Sequence, residues 1–188
     1  MHNFFALDQN ALRVIMMKFP FTKCTTSQVD VLAEVSQRTF RDAFEAQNDP
    51  NDFADYVQKA FSRQQLLKEL ENPDMEFYLL YSGTDLAAYF KLNSNGAQTD
   101  LREDLGMELE RIYVLEGFQG KGVGALILEY CKEIAKDRDK GYLWLGVWEK
   151  NHKAIEFYGR HGFNKFATHP YFIGRDEQTD WLMKWIPT

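Results

Sequence analysis

Residue types that bind metals or cross-link a fold are scarce in this chain. Cys24 and Cys131 are its two cysteines, and four histidines occur among the 188 residues. The helical pattern around Cys131 puts its thiol on a buried face. We therefore expect both cysteines to be core residues in a reducing cytoplasm and not a disulfide. The histidines lack the spacing of zinc ligands. The sequence thus predicts no metal and a cytoplasmic location.

Long apolar runs and an excess of positive charge are also missing. No segment approaches the roughly 18–20 apolar residues that span a bilayer, so no membrane association is expected. Lysine and arginine number 22 against 28 aspartates and glutamates, which leaves a net charge of −6. This balance argues against a nonspecific nucleic-acid surface and suits a cationic substrate.

Apolar residues are what the chain has in quantity. They make up 45% of it, with 15% aromatic residues, which suffices for the core of one domain. We expect this single domain to cover residues 18–188. Residues 1–17 mix apolar with polar and charged residues, which makes a poor secretion signal. We interpret them as an N-terminal extension or as sequence before an alternative start, and we assign no chemistry to them.

The order of the predicted elements indicates a mixed α/β fold. Apolar periodicity predicts one strand, three helices, a β-hairpin, a strand, a long helix, another strand and a helix. Two final strands are predicted over residues 163–167 and 180–186, and the polar residues 93–106 are expected to form a loop. We therefore expect about six to seven strands in one mixed sheet with helices on both sides.

Polar residues and glycines set the predicted helix ends. Asp52 is a candidate N-cap for the second helix, and Ser62 with Gln65 forms a candidate capping box for the third. Asn151 is expected to cap the last helix. The long helix is expected to end at Gly141.

The most informative segment is the glycine-rich run Gln119-Gly-Lys-Gly-Val-Gly124. It follows a strand-like run over residues 109–114 and precedes apolar residues at helical spacing. Such a turn exposes backbone N–H groups at a helix N-terminus, where the helix dipole also favours anions. Lys121 adds a positive charge. The segment therefore predicts a site for a phosphate or pyrophosphate.

The spacing of these glycines excludes two common nucleotide loops. A P-loop counted from Gly117 requires lysine and then serine or threonine where Val123 and Gly124 stand. A dinucleotide fingerprint counted from Gly120 requires a glycine at the position of Ala125. ATP, GTP and dinucleotides are therefore not the expected ligands.

The spacing Gln119-x-x-Gly122-x-Gly124 resembles the acetyl-CoA loop of the GCN5-related N-acetyltransferase (GNAT) superfamily, which grips the pyrophosphate of coenzyme A. A second block, Trp144-Leu-Gly-Val-Trp-Glu-Lys-Asn151 followed by Phe157-Tyr158, is similar to the same superfamily. The resemblance extends from about residue 18 to the C-terminus. It implies a GNAT fold, in which the strand before the loop and the next parallel strand splay apart to hold the cofactor.

Further motifs look like the bacterial spermidine/spermine N-acetyltransferases of the Pai type: Glu110-Arg-Ile-Tyr113, Phe118-Gln119 and Glu177-Gln-Thr-Asp180. This resemblance implies transfer of an acetyl group from acetyl-CoA, the cosubstrate, to a primary amine of spermidine or spermine, without a metal. Two other functions stay open. They are acetylation of a protein or peptide amine, and acetyl-CoA-responsive regulation without catalysis. The chain is expected to be a monomer or a homodimer.

Acidic residues recur through the first two predicted helices. Spaced carboxylates of this kind would steer a multiply charged amine towards the protein, and they would equally form an ordinary solvated face. The residues are Asp42, Glu45, Asp49, Asp52 and Asp55.

Three side chains are candidates for acid and base catalysis. Attack on a thioester requires a neutral amine, so an alkylammonium group with a pKa near ~10 must lose a proton. Glu110 is the first candidate base, acting through water, and Glu108 on the same strand face is the alternative. The alternative interpretation is that both side chains are ordinary surface carboxylates on a strand. Tyr158 matches the superfamily position of the acid that protonates the departing thiolate, and a core tyrosine is the competing interpretation.

The same resemblance implies the cofactor contacts. Backbone groups of Ile112, Tyr113 and Val114 would contact the pantetheine arm and the thioester, and donors near Tyr113 and Val114 would stabilise the developing oxyanion. The other expected cofactor-binding residues are Gln119, Gly120, Lys121, Gly122, Val123, Gly124, Ala125, Asn151 and Tyr158.

Overall fold

Seven strands form one mixed sheet in the computed structural model, which describes residues 19–173 and 176–187. The strands are β1 Phe21–Lys23, β2 Met75–Ser82, β3 Asp85–Ser94, β4 Gly106–Val114, β5 Tyr142–Trp148, β6 Asn164–Ile173 and β7 Asp176–Trp185. Their order across the sheet is β1-β2-β3-β4-β5-β7-β6. The expected mixed sheet is confirmed, whereas the expectation for residues 1–17 lies outside the described residues.

The parallel strands β4 and β5 separate after a short junction. They pair only from Gly106 opposite Tyr142 to Glu108 opposite Trp144. Beyond that point β4 stays paired with β3 as far as Val114, and β5 stays paired with β7. The two strands therefore diverge into a V, which confirms the splayed parallel pair.

Five helices cover the two faces of this sheet. They are α1 Val29–Phe44, α2 Pro50–Ala60, α3 Arg63–Glu71, α4 Val123–Asp137 and α5 His152–Arg160. Leu32 of α1 and Leu66 of α3 pack on one face with Phe77. Ile127 of α4 and Tyr158 of α5 pack on the other face. No helix in the described part of the chain is long and apolar enough to cross a membrane.

The end of α1 and the whole of α2 form an aromatic unit, here called the helical cap (residues 40–61). Tyr113 of β4 and Tyr171 of β6 both pack against its core. Because β4 and β6 lie on opposite sides of the V, the cap extends across the splayed strands. The buried core of the cap consists of Phe40, Phe53, Val57 and Phe61.

The N-caps of α2 and α3 differ in part from those predicted. Asp49, and not Asp52, caps α2, and its side chain accepts hydrogen bonds from the backbone of Asn51 and Asp52. Pro50 occupies the first helical position, where a missing N–H costs nothing. This proline fixes the helix start three residues earlier than predicted.

Ser62 caps α3 as predicted, with Oγ accepting from the backbone N–H of Gln65 at 3.2 Å. The predicted capping box is wrong, since the side chain of Gln65 donates to Glu69 at 2.9 Å instead of returning to Ser62. Glu69, one helical turn farther along α3, therefore takes the side chain that the capping box would have required.

The long helix α4 ends at Asp137 and not at Gly141. Asp139 adopts the left-handed conformation, with φ of 53°. The N–H groups of Asp139 and Lys140 donate back to Lys136 and Ala135, both at 2.9 Å. This is a Schellman C-cap with aspartate in the position that usually holds glycine, which is why the glycine signal failed.

The last two strands are longer than predicted. They form a hairpin that is paired from Asn164 opposite Lys184 to Ile173 opposite Asp176. Polar residues and Pro170 within it obscure the apolar alternation that sequence reasoning requires. Proline is tolerated here because β6 is an edge strand.

Candidate active site

The V between β4 and β5 opens into a cavity of about 1020 Å³. One end, the loop half, is lined by residues 119–120 and 122–125 and by α5, and the other end, the cap half, is lined by the helical cap and by β6 and β7. The structure thus brings together nearly all the predicted site residues. The predicted residues that line the cavity are Glu108, Glu110, Ile112, Tyr113, Val114, Gln119, Gly120, Gly122, Val123, Gly124, Ala125, Asn151 and Tyr158.

Lys121 is the predicted site residue that the cavity lining omits. Its side chain is exposed, and its ammonium lies 5.5 Å from the ring centre of Phe118. Lys121 therefore adds positive charge beside the loop and does not form part of the cavity wall.

The glycine loop has the backbone conformation that its sequence demands. Gly120 and Gly122 have φ values of 71° and 81°, in the left-handed region that side chains disfavour. Gly122 is the N-cap of α4. Because the first N–H groups of a helix have no acceptor within it, those of the first turn of α4 are available to an anion.

Two further contacts fix the loop to its surroundings. The side-chain amide of Gln119 donates to the carbonyl of Val114 at 2.9 Å, which ties the loop to the end of β4. A Cβ at Gly124 would lie 3.3 Å from Cζ of Phe157. The absence of that Cβ lets α4 and α5 approach closely beside the loop.

Main-chain groups are exposed along the diverging edge of β4. After Glu108 this edge has lost its pairing with β5, so N–H and C=O groups that face the V lack a strand partner over residues 109–114. Unpaired strand edges bind extended ligands through main-chain hydrogen bonds. Ile112, Tyr113 and Val114 therefore lie where an elongated ligand can pair with the sheet.

Tyr158 and Asn151 are supplied by α5 and its N-terminus. Asn151 caps α5, with Oδ1 accepting from the N–H of Ala154 at 3.1 Å. Tyr158 is buried, and burial raises the pKa of its phenol above the usual value. Its hydroxyl has no hydrogen-bond partner within residues 19–173 and 176–187. Tyr158 therefore keeps its proton at neutral pH and can donate it in a hydrogen bond to a ligand.

Glu108 is a buried carboxyl group held in place by three donors. It is 2% exposed, and the hydroxyl and the N–H of Thr99 donate to it at 2.5 and 2.9 Å. The side-chain amide of Asn93 is the third donor, at 2.9 Å. Burial, with a smaller contribution from the charge of Glu110, raises the pKa of Glu108 to about 7. Glu108 can therefore accept and release a proton near neutral pH.

Glu110 has the opposite surroundings. Its carboxylate lies 2.6 Å from the ammonium of Lys91 and 3.0 Å from the guanidinium of Arg111. Burial opposes ionisation, but the charges of Arg111 and Lys91 outweigh it and lower the pKa of Glu110 to about 2. A carboxylate so stabilised is a weak base. Glu108 is therefore the more basic of the two carboxyl groups, although Glu110 was the first candidate, and which of them acts as a base stays a prediction.

Several residues of the cap half were not predicted to act there. Asp100 lies 3.3 Å from Nδ1 of His169, and both line the cavity together with Asp180. Burial raises the pKa of Asp180 to about 6. Sequence reasoning had quoted Asp180 within a motif without giving it a role, and no local pattern marks Asn93 or Thr99, because their function depends on Glu108.

The acidic residues of the first two helices do not line the cavity. Glu45 pairs with Arg41 at 3.1 Å on the surface, and Asp49 caps α2. Four of the five are exposed and Asp52 is half-buried, so the steering of a charged amine by this group stays a prediction. Among the described residues, no group of three or more histidine, cysteine, aspartate or glutamate side chains is placed to hold a metal ion.

Comparison with known proteins identifies the family. Residues 32–163 match the acetyltransferase (GNAT) family. The chain is also 37% identical over 150 residues, which is 80% of this chain and 87% of the relative, to a protein of Lactobacillus delbrueckii subsp. lactis. That relative is named an uncharacterized N-acetyltransferase in the pepI 3' region.

Solved structures share the fold. The PaiA N-acetyltransferase from Thermoplasma acidophilum, in complex with coenzyme A, aligns with a TM-score of 0.71 at 18% identity over 90% of this chain and 99% of that chain. The ribosomal-protein-S18-alanine N-acetyltransferase from Escherichia coli aligns with a TM-score of 0.63 at 18% identity over 89% of this chain and 93% of that chain. With the family match over most of its length, the chain belongs to the GNAT acetyltransferase family and is an acetyl-CoA-dependent N-acetyltransferase.

Proposed function

We propose that this enzyme transfers the acetyl group of acetyl-CoA to a primary amine of spermidine or spermine in the cytoplasm. The observation that carries the proposal is a continuous cavity with an anion-binding loop at one end and carboxyl groups at the other. The loop half suits a diphosphate, and the cap half, with Asp100, Glu108 and Asp180, suits an amine that carries more than one positive charge. The buried free thiols of Cys24 and Cys131 agree with a reducing compartment.

The loop half fits coenzyme A in its chemistry. Gly120, Gly122 and the N–H groups at the start of α4 would hold the diphosphate, and Lys121 would add charge from outside the cavity. The open edge of β4, at Ile112, Tyr113 and Val114, would pair with the amide groups of the pantetheine arm. Bound acetyl-CoA supplies the acetyl group as a thioester. The remaining residues of this half proposed to contact the cofactor are Gln119, Val123, Gly124, Ala125 and Asn151.

Glu108 is the proposed general base. An alkylammonium group has a pKa near ~10 and must lose a proton before it can attack. A carboxylate whose pKa lies near 7 is a better acceptor for that proton than one whose pKa lies near 2. Glu108 would act through water, because Thr99 and Asn93 already occupy its oxygens. Glu110 would remain ionised, with its charge balanced by Lys91 and Arg111.

Tyr158 is the proposed donor to the sulfur. As the thioester breaks, negative charge develops on the sulfur, and a hydrogen bond to a charged group is worth about 1.5–3 kcal/mol. Since its pKa is raised, Tyr158 stabilises this charge by donating a hydrogen bond and need not transfer its proton completely. Donors on the main chain near Tyr113 and Val114 would stabilise charge on the acyl oxygen.

The cap half supports a polyamine through the arrangement of its charges. Asp100 and Asp180 lie in the cavity lining beyond Glu108, so one ammonium group could bind them while the reacting amine lies at Glu108. The name of PaiA, and the resemblance of sequence motifs to Pai-type enzymes, agree with this choice. A peptide amine is the alternative within the same chemistry, and it corresponds to the printed name of the ribosomal-protein enzyme.

Mass spectrometry of acetyl-CoA incubations tests the proposed substrate. Purified enzyme is offered spermidine, spermine, a peptide with a free N-terminus, a lysine peptide and an aminoglycoside. We expect acetylated spermidine or spermine to form fastest. Equal or faster turnover of a peptide or of the aminoglycoside contradicts the polyamine proposal. Acetyl-CoA binding without turnover of any amine would instead favour a non-catalytic regulator.

A further inference from the structure

Within the described residues, hydrogen bonds from Tyr56 and from Asn48 connect the helical cap to the β6–β7 hairpin across the cap half of the cavity. The hydroxyl groups of Tyr56 on α2 and Tyr171 on β6 are bonded to each other. The side-chain amide of Gln178 on β7 donates to Oδ1 of Asn48, just before α2, at 3.0 Å. These partners are 115 and 130 residues apart in the chain. The two contacts therefore join separate parts of the fold.

The two tyrosines are packed against the core of the cap, so their hydrogen bond is not an isolated surface contact. The rings of Tyr56 and Tyr171 meet edge to face, with centres 6.3 Å apart. Tyr56 is also stacked on Phe40 of the cap core at 5.2 Å. Burial raises the pKa of both phenols, to which the mutual hydrogen bond adds for Tyr171. Both hydroxyls therefore stay neutral at physiological pH, and the bond between them persists.

The pair lies in the lining of the cavity that also holds the proposed base. Tyr56 and Tyr171 both line the same cavity as Glu108 and Asp180. With the cap on one side and the hairpin on the other, the bonded tyrosines bridge the cap half. The lining of this half combines aromatic rings with the carboxyl groups of Asp100, Glu108 and Asp180, and it also includes Arg111 and His169. An unbranched alkylamine presents methylene groups to the rings and ammonium groups to the carboxylates.

We propose that the Tyr56–Tyr171 bridge determines acceptor specificity by excluding peptide and protein amines and admitting slender alkylamines. A polypeptide that lay across this half of the cavity would have to place its backbone and side chains where the two bonded rings meet. A polyamine has no branches and can extend beneath them. The inference rests on the proposed amine acetylation and decides between its two acceptor classes.

Steady-state kinetics of bridge variants test this proposal. Tyr171→Phe removes the bond between the hydroxyls, and Tyr171→Ala also opens the space. We expect Tyr171→Ala to raise kcat/KM for a peptide amine relative to spermidine by about tenfold or more, with Tyr171→Phe in between. The KM for acetyl-CoA should change little, because neither tyrosine belongs to the glycine loop or to α5, which line the loop half. The matched control is Tyr142→Phe, which removes the hydrogen bond from that tyrosine to Glu103 outside the cavity.

A labelling experiment keeps the test independent of any substrate. Cys24 and Cys131 are both buried, so a cysteine introduced by Asp180→Cys, at a half-buried position of the cavity lining, would be the reactive thiol. We expect a small thiosulfonate to label it equally with and without Tyr171→Ala, and a peptide-linked maleimide to label it faster in the Tyr171→Ala background.

The outcomes separate the two proposals. One outcome is that no alkylamine is acetylated, while the peptide-linked maleimide still labels the introduced cysteine faster in the Tyr171→Ala background. The proposed function is then wrong, and the proposal that the bridge excludes peptides is supported. If the bulky reagent reacts equally in both backgrounds, or if the ratio of peptide to spermidine turnover is unmoved by Tyr171→Ala, the bridge is not a specificity determinant. The bridge is also overturned if the unmodified enzyme acetylates peptides as well as alkylamines.

Discussion

Asn93 holds two carboxyl groups that have opposite ionisation behaviour. Its side-chain amide donates to Glu108 at 2.9 Å and to Glu110 at 2.6 Å. Glu110 is neutralised by Lys91 and Arg111, whereas Glu108 has only neutral donors. Because burial raises the pKa of a carboxyl group and a nearby cation lowers it, one acid remains ionised while its neighbour titrates near pH 7. Two carboxyl groups on one strand can thus differ in charge at neutral pH.

Replacing Glu108 tests its role as the base. We expect Glu108→Gln to lower kcat by about 10²-fold or more, the usual contribution of a positioned base. In the unmodified enzyme kcat/KM should fall as the pH drops below about 7, because Glu108 becomes protonated. This acidic limb should vanish in the variant. The control is Glu71→Gln, on an exposed glutamate at the end of α3. An unchanged limb in Glu108→Gln would assign the titration to another group.

The same variant has a defined effect on stability. A carboxyl group whose pKa rises on folding contributes stability that is present at low pH and is lost as the pH rises from about 4.3 in the unfolded chain to about 7 in the folded one. Urea unfolding between pH 4 and 8 should therefore show a decline in that window that Glu108→Gln lacks. A parallel decline in both proteins would contradict the raised pKa.

Sequence reasoning found these residues and placed Glu110 first as the candidate base, before their surroundings were known. Glu108 and Glu110 are alike in the sequence, and spacing places them on one strand. Their difference arises from the charges of Arg111 and of Lys91 on β3, which lower the pKa of Glu110, and from the neutral donor Thr99 at Glu108, in the loop that follows β3. Such neighbours depend on strand register, and no pattern within residues 106–114 reveals it.

At the scale of elements, the glycine loop was the best predicted part of the molecule. Its strand, turn and helix are consecutive, so local sequence determines the geometry. The positive φ angles of Gly120 and Gly122 are a local requirement that only glycine meets without strain. The end of α4 was less predictable, because Asp139 and not a glycine adopts the left-handed conformation there.

A pair of glycine substitutions separates the ligand role of the loop from backbone strain. Gly122 and Gly83 both have positive φ and no atom within 4 Å of an added Cβ. Replacement by alanine should therefore lower the free energy of unfolding by a similar amount at each site, about 1 kcal/mol. Because only Gly122 lines the cavity, we expect Gly122→Ala alone to weaken coenzyme A binding, by about tenfold or more.

Titration calorimetry with coenzyme A measures this effect, and thermal unfolding measures the strain. Equal affinity in Gly122→Ala and Gly83→Ala would place the diphosphate away from the loop. A loss of affinity in both variants would point to a general disturbance of the fold.

At the scale of the whole molecule, the sheet consists of two parts joined at a narrow junction. Strands β1 to β4 form one part and β5 to β7 the other, and three residue pairs connect them, the last of which is Glu108 with Trp144. A ligand bound in the V would contact both parts. Binding energy would then add to the stability of the folded protein, by about 2.7 kcal/mol at a ligand concentration of 100 times Kd.

Hydrogen exchange tests this bridging by the ligand. We expect coenzyme A to slow amide exchange in residues 109–114 of β4 and 120–125 of the loop, because these amides would become hydrogen-bonded to the ligand. Amides of β2, which pairs on both edges within the first part, serve as the internal control. Protection spread equally over β2 and β4 would indicate general stabilisation without occupation of the V.

The order of elements was predictable from the sequence, whereas the position of β7 was not. Periodicity gave the strands and helices in chain order, and the resemblance implied the splayed pair. The insertion of β7 between β5 and β6 is a long-range pairing. It brings Asp180 and Tyr171 to the cavity. This is why the hairpin residues that line the cavity were missed while those of β4 were found.

The short junction also places Glu108 at a point that moves little when the two parts of the sheet rotate. Glu108 sits at the vertex of the wedge, where the two halves of the sheet still touch, whereas Val114 lies six residues farther out, roughly 20 Å along the strand. A rotation that widens or narrows the wedge moves the end of β4 at Val114 much farther than it moves Glu108. The group proposed to remove the proton is thus anchored at the pivot, so that opening of the wedge need not disturb its alignment.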